Sequence, residues 1–163
     1  MAKIYISLGS NIEPIRHLKA ALIDLDYHFD ELQLSSVFES EAVGFDGTNF
    51  LNMVVAAETA MPIETVVATF KKIEQDHGRV KGAKKFAART LDLDLLLYDD
   101  VVCQAPIELP RAEILYNAFV LWPLAEIAPQ LTHPVTHEPY QILWDEYEKT
   151  QQHLWPIEFD WSV

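Results

Sequence analysis

The chain has 163 residues, half of them hydrophobic, with a formal net charge of −13, a size that suits one domain, residues 1–163, with a substantial core. The acidic balance, with a sequence pI of about 4.7, argues against a general nucleic-acid or anionic-membrane surface. No apolar run reaches the roughly 20 residues that span a bilayer, and the single Cys103 excludes an internal disulfide and suits a reducing cytoplasm.

Residues 3–8 alternate, with Ile4, Ile6 and Leu8 on one side, and predict a first strand rather than a signal peptide. Gly9, Ser10 and Asn11 turn the chain, and Pro14 suits the first turn of a helix. Ile15, Leu18, Ala21, Leu22 and Leu25 then fall at helical spacing. Residues 34–43 alternate again, residues 44–49 are a loop by composition, and residues 50–57 are strand-like, apolar on both faces except at Asn52. Two long runs around a short loop predict an antiparallel pair. Pro62 opens a second helix with Ile63, Val66, Val67, Phe70 and Ile73 as its buried stripe and Gly78 as its stop. A basic loop, a strand over 90–98, a turn at Asp99 and Asp100, and a short strand over 101–103 follow. Residues 113–116, 119–127 and 140–149 read as shorter helices punctuated by prolines, and the aromatic, acidic residues 155–163 have no assigned place. The order predicts an α+β fold: a ferredoxin-like βαββαβ core with a mostly antiparallel sheet and additional C-terminal helices. Such a fold identifies no activity by itself.

Charge is distributed unevenly. Of the 12 Lys and Arg residues, seven (Lys71, Lys72, Arg79, Lys81, Lys84, Lys85 and Arg89) fall within residues 71–89. This cationic stretch runs into a strand where Thr90, Asp92, Asp94 and Leu96 share one face and Leu91, Leu93, Leu95 and Leu97 the other. The two aspartate Cα atoms sit roughly 7 Å apart on such a strand. An isolated pair of this kind is usually the solvated face of an edge strand, but the adjoining cations favour a polyphosphate with its magnesium, a metal that takes only one or two protein carboxylates. Arg79 and Arg89 suit bidentate phosphate binding, and Lys81, Lys84 and Lys85 would add point charges. Asn52 is notable because an amide in an apolar strand needs partners. His133 and His137 flank Pro134 with no third ligand nearby in sequence, which disfavours a zinc site.

These residues resemble the 6-hydroxymethyl-7,8-dihydropterin pyrophosphokinase family. The resemblance runs to about Trp144 and is carried by Gly9-Ser10-Asn11, Phe50-Leu51-Asn52, Glu74 ahead of Gly78-Arg79-Val80, and Phe119-Val120-Leu121-Trp122-Pro123-Leu124. Its most specific element is Arg89-Thr90-Leu91-Asp92-Leu93-Asp94. The resemblance implies transfer of the β,γ-diphosphate of ATP to the hydroxymethyl group of a dihydropterin, giving AMP. Asp92 and Asp94 would be ligands of two Mg²⁺ ions, and these with Arg79 and Arg89 the catalytic set. Phe50 and Phe119 would sandwich the pterin, Asn52 would read its edge, and Ser40 and Val43 would offer backbone groups to it. Lys71, Glu74, Arg79, Lys81, Arg89 and Arg111 would contact the nucleotide. The partners implied are small molecules, with no nucleic acid or membrane, for a cytoplasmic monomer. The sequence departs from the family pattern at Arg111 and Ala112, where a His and an aromatic are usual, at Asn117, where an arginine contacts ATP, and at Lys71, Phe86 and Ala88. These departures keep open a second reading, a pterin-binding paralogue with weak or absent transfer.

Overall fold

The computed structural model describes residues 1–41, 49–78 and 90–161. In chain order the elements are β1 (Ala2–Ser10), α1 (Pro14–His28), β2 (Asp30–Leu34), β3 (Val37–Ser40), β4 (Phe50–Thr59), α2 (Ile63–Asp76), β5 (Asp92–Tyr98), a 3-10 turn (Ala112–Leu115), α3 (Ala118–Ile127), α4 (Tyr140–Glu146) and β6 (Leu154–Ile157). The sheet runs β5-β1-β4-β3-β6, with β2 also paired to β4. Every one of these pairings is antiparallel. This is the expected α+β, ferredoxin-like arrangement with helices added at the C-terminal end.

β1 and β4 are central, and both faces are covered, so their side chains are apolar nearly throughout. On one face Ile4, Ile6, Leu8, Met53 and Val55 pack with Leu18 and Leu25 of α1 and Val66, Phe70 and Ile73 of α2. On the other, Tyr5, Val54 and Ala56 pack with Val120, Leu121 and Leu124 of α3 and Tyr140 of α4. The second face extends beyond α3 and α4 to the polar ends of the strands, where the functional residues gather.

Four local expectations change. The strand expected over residues 34–43 is broken between β2 and β3 by two serines. The Ser35 N–H donates to the Val54 carbonyl (2.9 Å), while the Ser35 hydroxyl oxygen accepts the Val54 N–H (2.9 Å) and donates to the Ser36 carbonyl (2.7 Å). A side chain thus stands in for a backbone acceptor and bends the strand. The expected alternation in β5 fails past Leu95. Tyr5 pairs with Leu97 and Ile6 with Leu95, leaving Leu96 as an extra residue, a bulge that sends both Leu96 and Leu97 into the α3–α4 core. Residues 101–103 form no strand, only a bridge from Cys103 to Leu109. Helix α4 stops at Glu146, where Lys149 Nζ folds back to donate to the Trp144 carbonyl (2.7 Å), the favourable place for a cation. The unassigned C-terminal segment supplies β6, which extends the sheet by pairing with β3.

Candidate active site

One register row crosses the sheet. Phe38 of β3 pairs with Asn52 of β4, Asn52 with Gly9 of β1, and Gly9 with Asp92 of β5. The adjacent row joins Val54, Ser7 and Asp94, and one row outward Ser40 pairs with Phe50. Direct partners share a face, and Val54 belongs to the core beneath α3. Ser40, Phe50, Asn52, Asp92 and Asp94 therefore lie on the α3 side of the sheet, with the leucines of β5 at 93 and 95 pinned to the opposite core. Phe119, in the first turn of α3, packs at the edge of the same side.

The sequence pattern alone did not show why Gly9 stands in the row. A methyl group there would lie 2.8 Å from Asn52 Oδ1, so only glycine lets the buried amide, 6% exposed, lie against β1. Asn52 Nδ2 donates to Ser40 Oγ at 3.3 Å. The turn after β1 is fixed by His17, buried in α1, whose Nδ1 lies 2.6 Å from the Ile12 carbonyl and 3.1 Å from that of Glu13. Two carbonyl acceptors place the ring proton on Nδ1. The His17 ring meets that of His77 edge-on at 5.4 Å, and His77 Nε2 pairs with Asp24 at 3.2 Å, which ties this turn to the end of α2. His17 and His77 stand 60 positions apart, so no local signal announces the pair.

The paired carboxylates are held from both flanks. Glu74 of α2 accepts the Leu93 N–H at 2.8 Å, satisfying the edge strand between Asp92 and Asp94. On the other flank Arg111 donates its backbone N–H to the Leu96 carbonyl (3.0 Å), and its guanidinium lies 3.4 Å from Asp94 Oδ1 and 3.0 Å from Glu113 Oε1. Burial works against the charged guanidinium, but Asp94 and then Glu113 outweigh it and hold the Arg111 pKa above its usual value. Glu113 was not singled out from the sequence. Lys71 is exposed on α2. Val43, Arg79, Lys81 and Arg89 lie outside the described residues, as do Phe86 and Ala88.

The donor set fits magnesium. Asp92 and Asp94 are hard oxygen donors, half-buried on one strand face, and no group of three or more His, Cys, Asp and Glu side chains placed to hold a metal occurs among the described residues. A cation completing its shell with water and phosphate oxygens needs no more than such a pair, whereas a closed zinc site needs four protein ligands. His133 is part of a turn: its Nδ1 accepts the N–H groups of Val135 and Thr136, each at 3.1 Å.

A ferredoxin-like sheet carrying a buried amide and paired carboxylates on one face, preceded in sequence by a cationic stretch, suits a group-transfer enzyme that handles phosphate. The sequence profile of the 7,8-dihydro-6-hydroxymethylpterin-pyrophosphokinase (HPPK) family matches residues 5–129, and the chain belongs to that family. It is 34% identical over 142 residues to the 2-amino-4-hydroxy-6-hydroxymethyldihydropteridine pyrophosphokinase of Aquifex aeolicus, covering 85% of this chain and 88% of that protein. Identity to the protein of the same name in Synechocystis is 32% over 156 residues, covering 93% and 78%. The folic acid synthesis protein fol1 of Schizosaccharomyces pombe is 36% identical over 149 residues, 87% of this chain but 20% of that longer protein. Among solved structures, wild-type Plasmodium falciparum HPPK-DHPS shares the fold at a TM-score of 0.72 and 12% identity, over 90% of this chain and 44% of that one. No helix among the described residues is long and apolar enough to cross a membrane.

Proposed function

We propose that this member of the family transfers the β,γ-diphosphate of ATP to the hydroxymethyl group of 6-hydroxymethyl-7,8-dihydropterin, acting as a single domain over residues 1–163. The acceptor oxygen bonds to the β-phosphorus, the bond from that phosphorus to the α,β-bridging oxygen breaks, the hydroxyl proton is lost and AMP leaves. The observation that carries this reading is the row from Asn52 through Gly9 to Asp92. Two strand spacings put the Cα atoms of Asn52 and Asp92 about 10 Å apart, and Gly9 itself places no side chain between them. A flat two-ring heterocycle with its edge on Asn52 thus extends its hydroxymethyl arm toward the carboxylates.

Asn52 supplies both a donor and an acceptor to the pterin edge. Phe50 and Phe119 supply aromatic faces, and Ser40 and Val43 supply neighbouring backbone groups. Asp92 and Asp94 would hold two Mg²⁺ ions. Bound there, the metal neutralises phosphate charge and orients attacking and leaving oxygens on one template. Arg79, Arg89 and Lys81 bring cations to the triphosphate from the basic stretch, and Lys71 and Arg111 flank it. Glu74 serves the nucleotide side by keeping β5 in place through Leu93. Phosphoryl transfer asks little more of a protein than such positioning and charge neutralisation. The acidic chain works as a cytoplasmic monomer on small molecules, with no nucleic acid or membrane partner.

The test is AMP release measured with ATP, magnesium and the hydroxymethyl dihydropterin, each omitted in turn. Release that requires all three supports the reading. Pterin binding by calorimetry with no Mg-ATP binding and no AMP would instead establish a pterin-binding paralogue.

A further inference from the structure

The two departures from the family pattern at Arg111 and Asn117 are linked through one hydrogen-bonded chain that ends in the C-terminal segment. Gln152 Oε1 accepts the N–H of Ala118, the first residue of α3, at 2.7 Å. Its Nε2 donates to Asn117 Oδ1 at 2.9 Å. Asn117 Nδ2 donates to Glu113 Oε2 at 3.1 Å, while Glu113 Oε1 accepts from Arg111 Nε and a terminal nitrogen at 3.2 and 3.0 Å. Arg111 reaches Asp94 at 3.4 Å. Both ends fix the polarity of this chain: a backbone N–H can only donate and a carboxylate can only accept, so neither amide can be turned around. Asn117 precedes α3 yet makes no side-chain cap; its oxygen is committed to Gln152, and Gln152 satisfies the helix end in its place. Gln152 itself is held from both directions. Leu154, two residues on, pairs with Ser40 through β6, and the Tyr147 hydroxyl donates to the Tyr116 carbonyl at 2.8 Å. Residue 152 lies past the region that the family profile matches, which ends at 129.

We propose that Gln152, supplied by the C-terminal segment, is a positioning residue that holds Arg111 on Asp94 and seats the first turn of α3, with Phe119, over the substrate face. Its effect on turnover rests on the pyrophosphokinase reaction proposed above. The test reverses the chain. In Gln152→Glu, whichever way Asn117 turns, its Oδ1 faces a carboxylate. In Glu113→Gln, a new NH₂ faces Asn117 or Arg111. In the double variant every group is paired again with opposite polarity. The new carboxylate at position 152 accepts from the Ala118 N–H and from Asn117 Nδ2. The new amide at position 113 donates to Asn117 Oδ1, and its oxygen accepts from Arg111. Each single change lowers kcat/KM for Mg-ATP about tenfold, the scale of one mispaired, partly buried hydrogen bond, and the double variant recovers to within about threefold of wild type. Wild-type kcat/KM in Gln152→Glu overturns the proposal, as does a double variant that shows the product of the two single losses. Exchange of the Arg111 Nε proton, followed by NMR, decides the matter without turnover. Slow exchange in wild type and double variant with fast exchange in both single variants supports the relay, and equal rates in all four refute it. Absence of AMP release from wild type would refute the reaction alone and leave the exchange result standing.

Discussion

Replacement of Gly9 by alanine separates the role of the fold from that of the site. Gly9 has no positive φ, so alanine meets no backbone strain there, and on entropic grounds the change would stabilise the protein by about 0.4–1 kcal/mol. The new methyl would sit 2.8 Å from Asn52 Oδ1, where ordinary contact begins at 3.4 Å. The difference is about 0.6 Å, and the amide must retreat by that much or push β1 from β4. Asn52 is buried and bonded to Ser40 Oγ on the neighbouring strand β3 at 3.3 Å, so the amide cannot turn away from β1 without disturbing that bond. Leaving a buried amide unsatisfied costs about 1–3 kcal/mol. The net expectation is a loss of about 1–2 kcal/mol, a fall in Tm of about 3–6 °C for a chain of this size.

The functional consequence is selective. A displaced Asn52 loses about one hydrogen bond to the pterin edge, so the pterin Kd rises about tenfold. Mg-ATP affinity, which depends on β5 and its flanks, stays unchanged. Calorimetry with each substrate, together with a thermal melt, measures all three quantities. An alanine variant with a higher Tm and unaltered pterin affinity would refute the reasoning, because the entropic gain would then act unopposed and the amide would not depend on Gly9. Gly78→Ala is the control: its φ is +88° and a methyl there meets nothing, so it costs about 1–2 kcal/mol of backbone strain with no steric effect on Asn52.

Asp94→Asn is expected to lower AMP formation at least about 100-fold, or about 2.7 kcal/mol. Its ion pair with Arg111 is about one-third exposed on both sides, so after screening that pair contributes no more than about 1 kcal/mol of stability; undiminished turnover would sink the metal assignment. Chelation of divalent cations is expected to weaken ATP binding by about tenfold or more, since bare triphosphate then meets the carboxylates, and equal ATP affinity with and without magnesium would contradict this. Burial, and secondarily His137, holds the His133 pKa below its usual value. The unfolded chain therefore binds the extra proton first, and His133's contribution to stability is present above about pH 6.5 and lost as pH falls below it. Urea midpoints between pH 7.5 and 5 should show this slope, and His133→Asn should flatten it. The Tyr140 hydroxyl is buried with no hydrogen-bond partner among the described residues, so Tyr140→Phe is expected to be neutral or to raise stability by up to about 1–2 kcal/mol, read from the same denaturation curves.

What was legible in the sequence was whatever repeats locally. The period of two placed Asp92 and Asp94 on one face and the leucines at 93 and 95 on the other, and the apolar setting of Asn52 marked it as an amide in need of partners. The period failed at Leu96 because a bulge is settled by pairing with β1, not by β5 itself. The break at residue 35 was equally hidden, since a serine competes with the ladder only when a strand such as β4 presents an N–H to it. The C-terminal segment could not be placed because its strand has no partner until β3 is exposed as an edge.

The same distinction explains why Arg111 and Asn117 read as separate losses in sequence. In three dimensions both donate to Glu113, and Arg111 also leans on Asp94. The Arg111 guanidinium thus stands between two carboxylates, Asp94 and Glu113. Hard carboxylate oxygens gathered on this strand face suit a divalent cation. Arg111 therefore does not simply substitute for a lost phosphate contact. Shared between two carboxylates, it moderates their charge and fixes where Asp94 points. In the reaction proposed above, the burden of neutralising the triphosphate would fall on the metal and on the cations of residues 79–89, and the proposed role of Gln152 would set the geometry of the carboxylates.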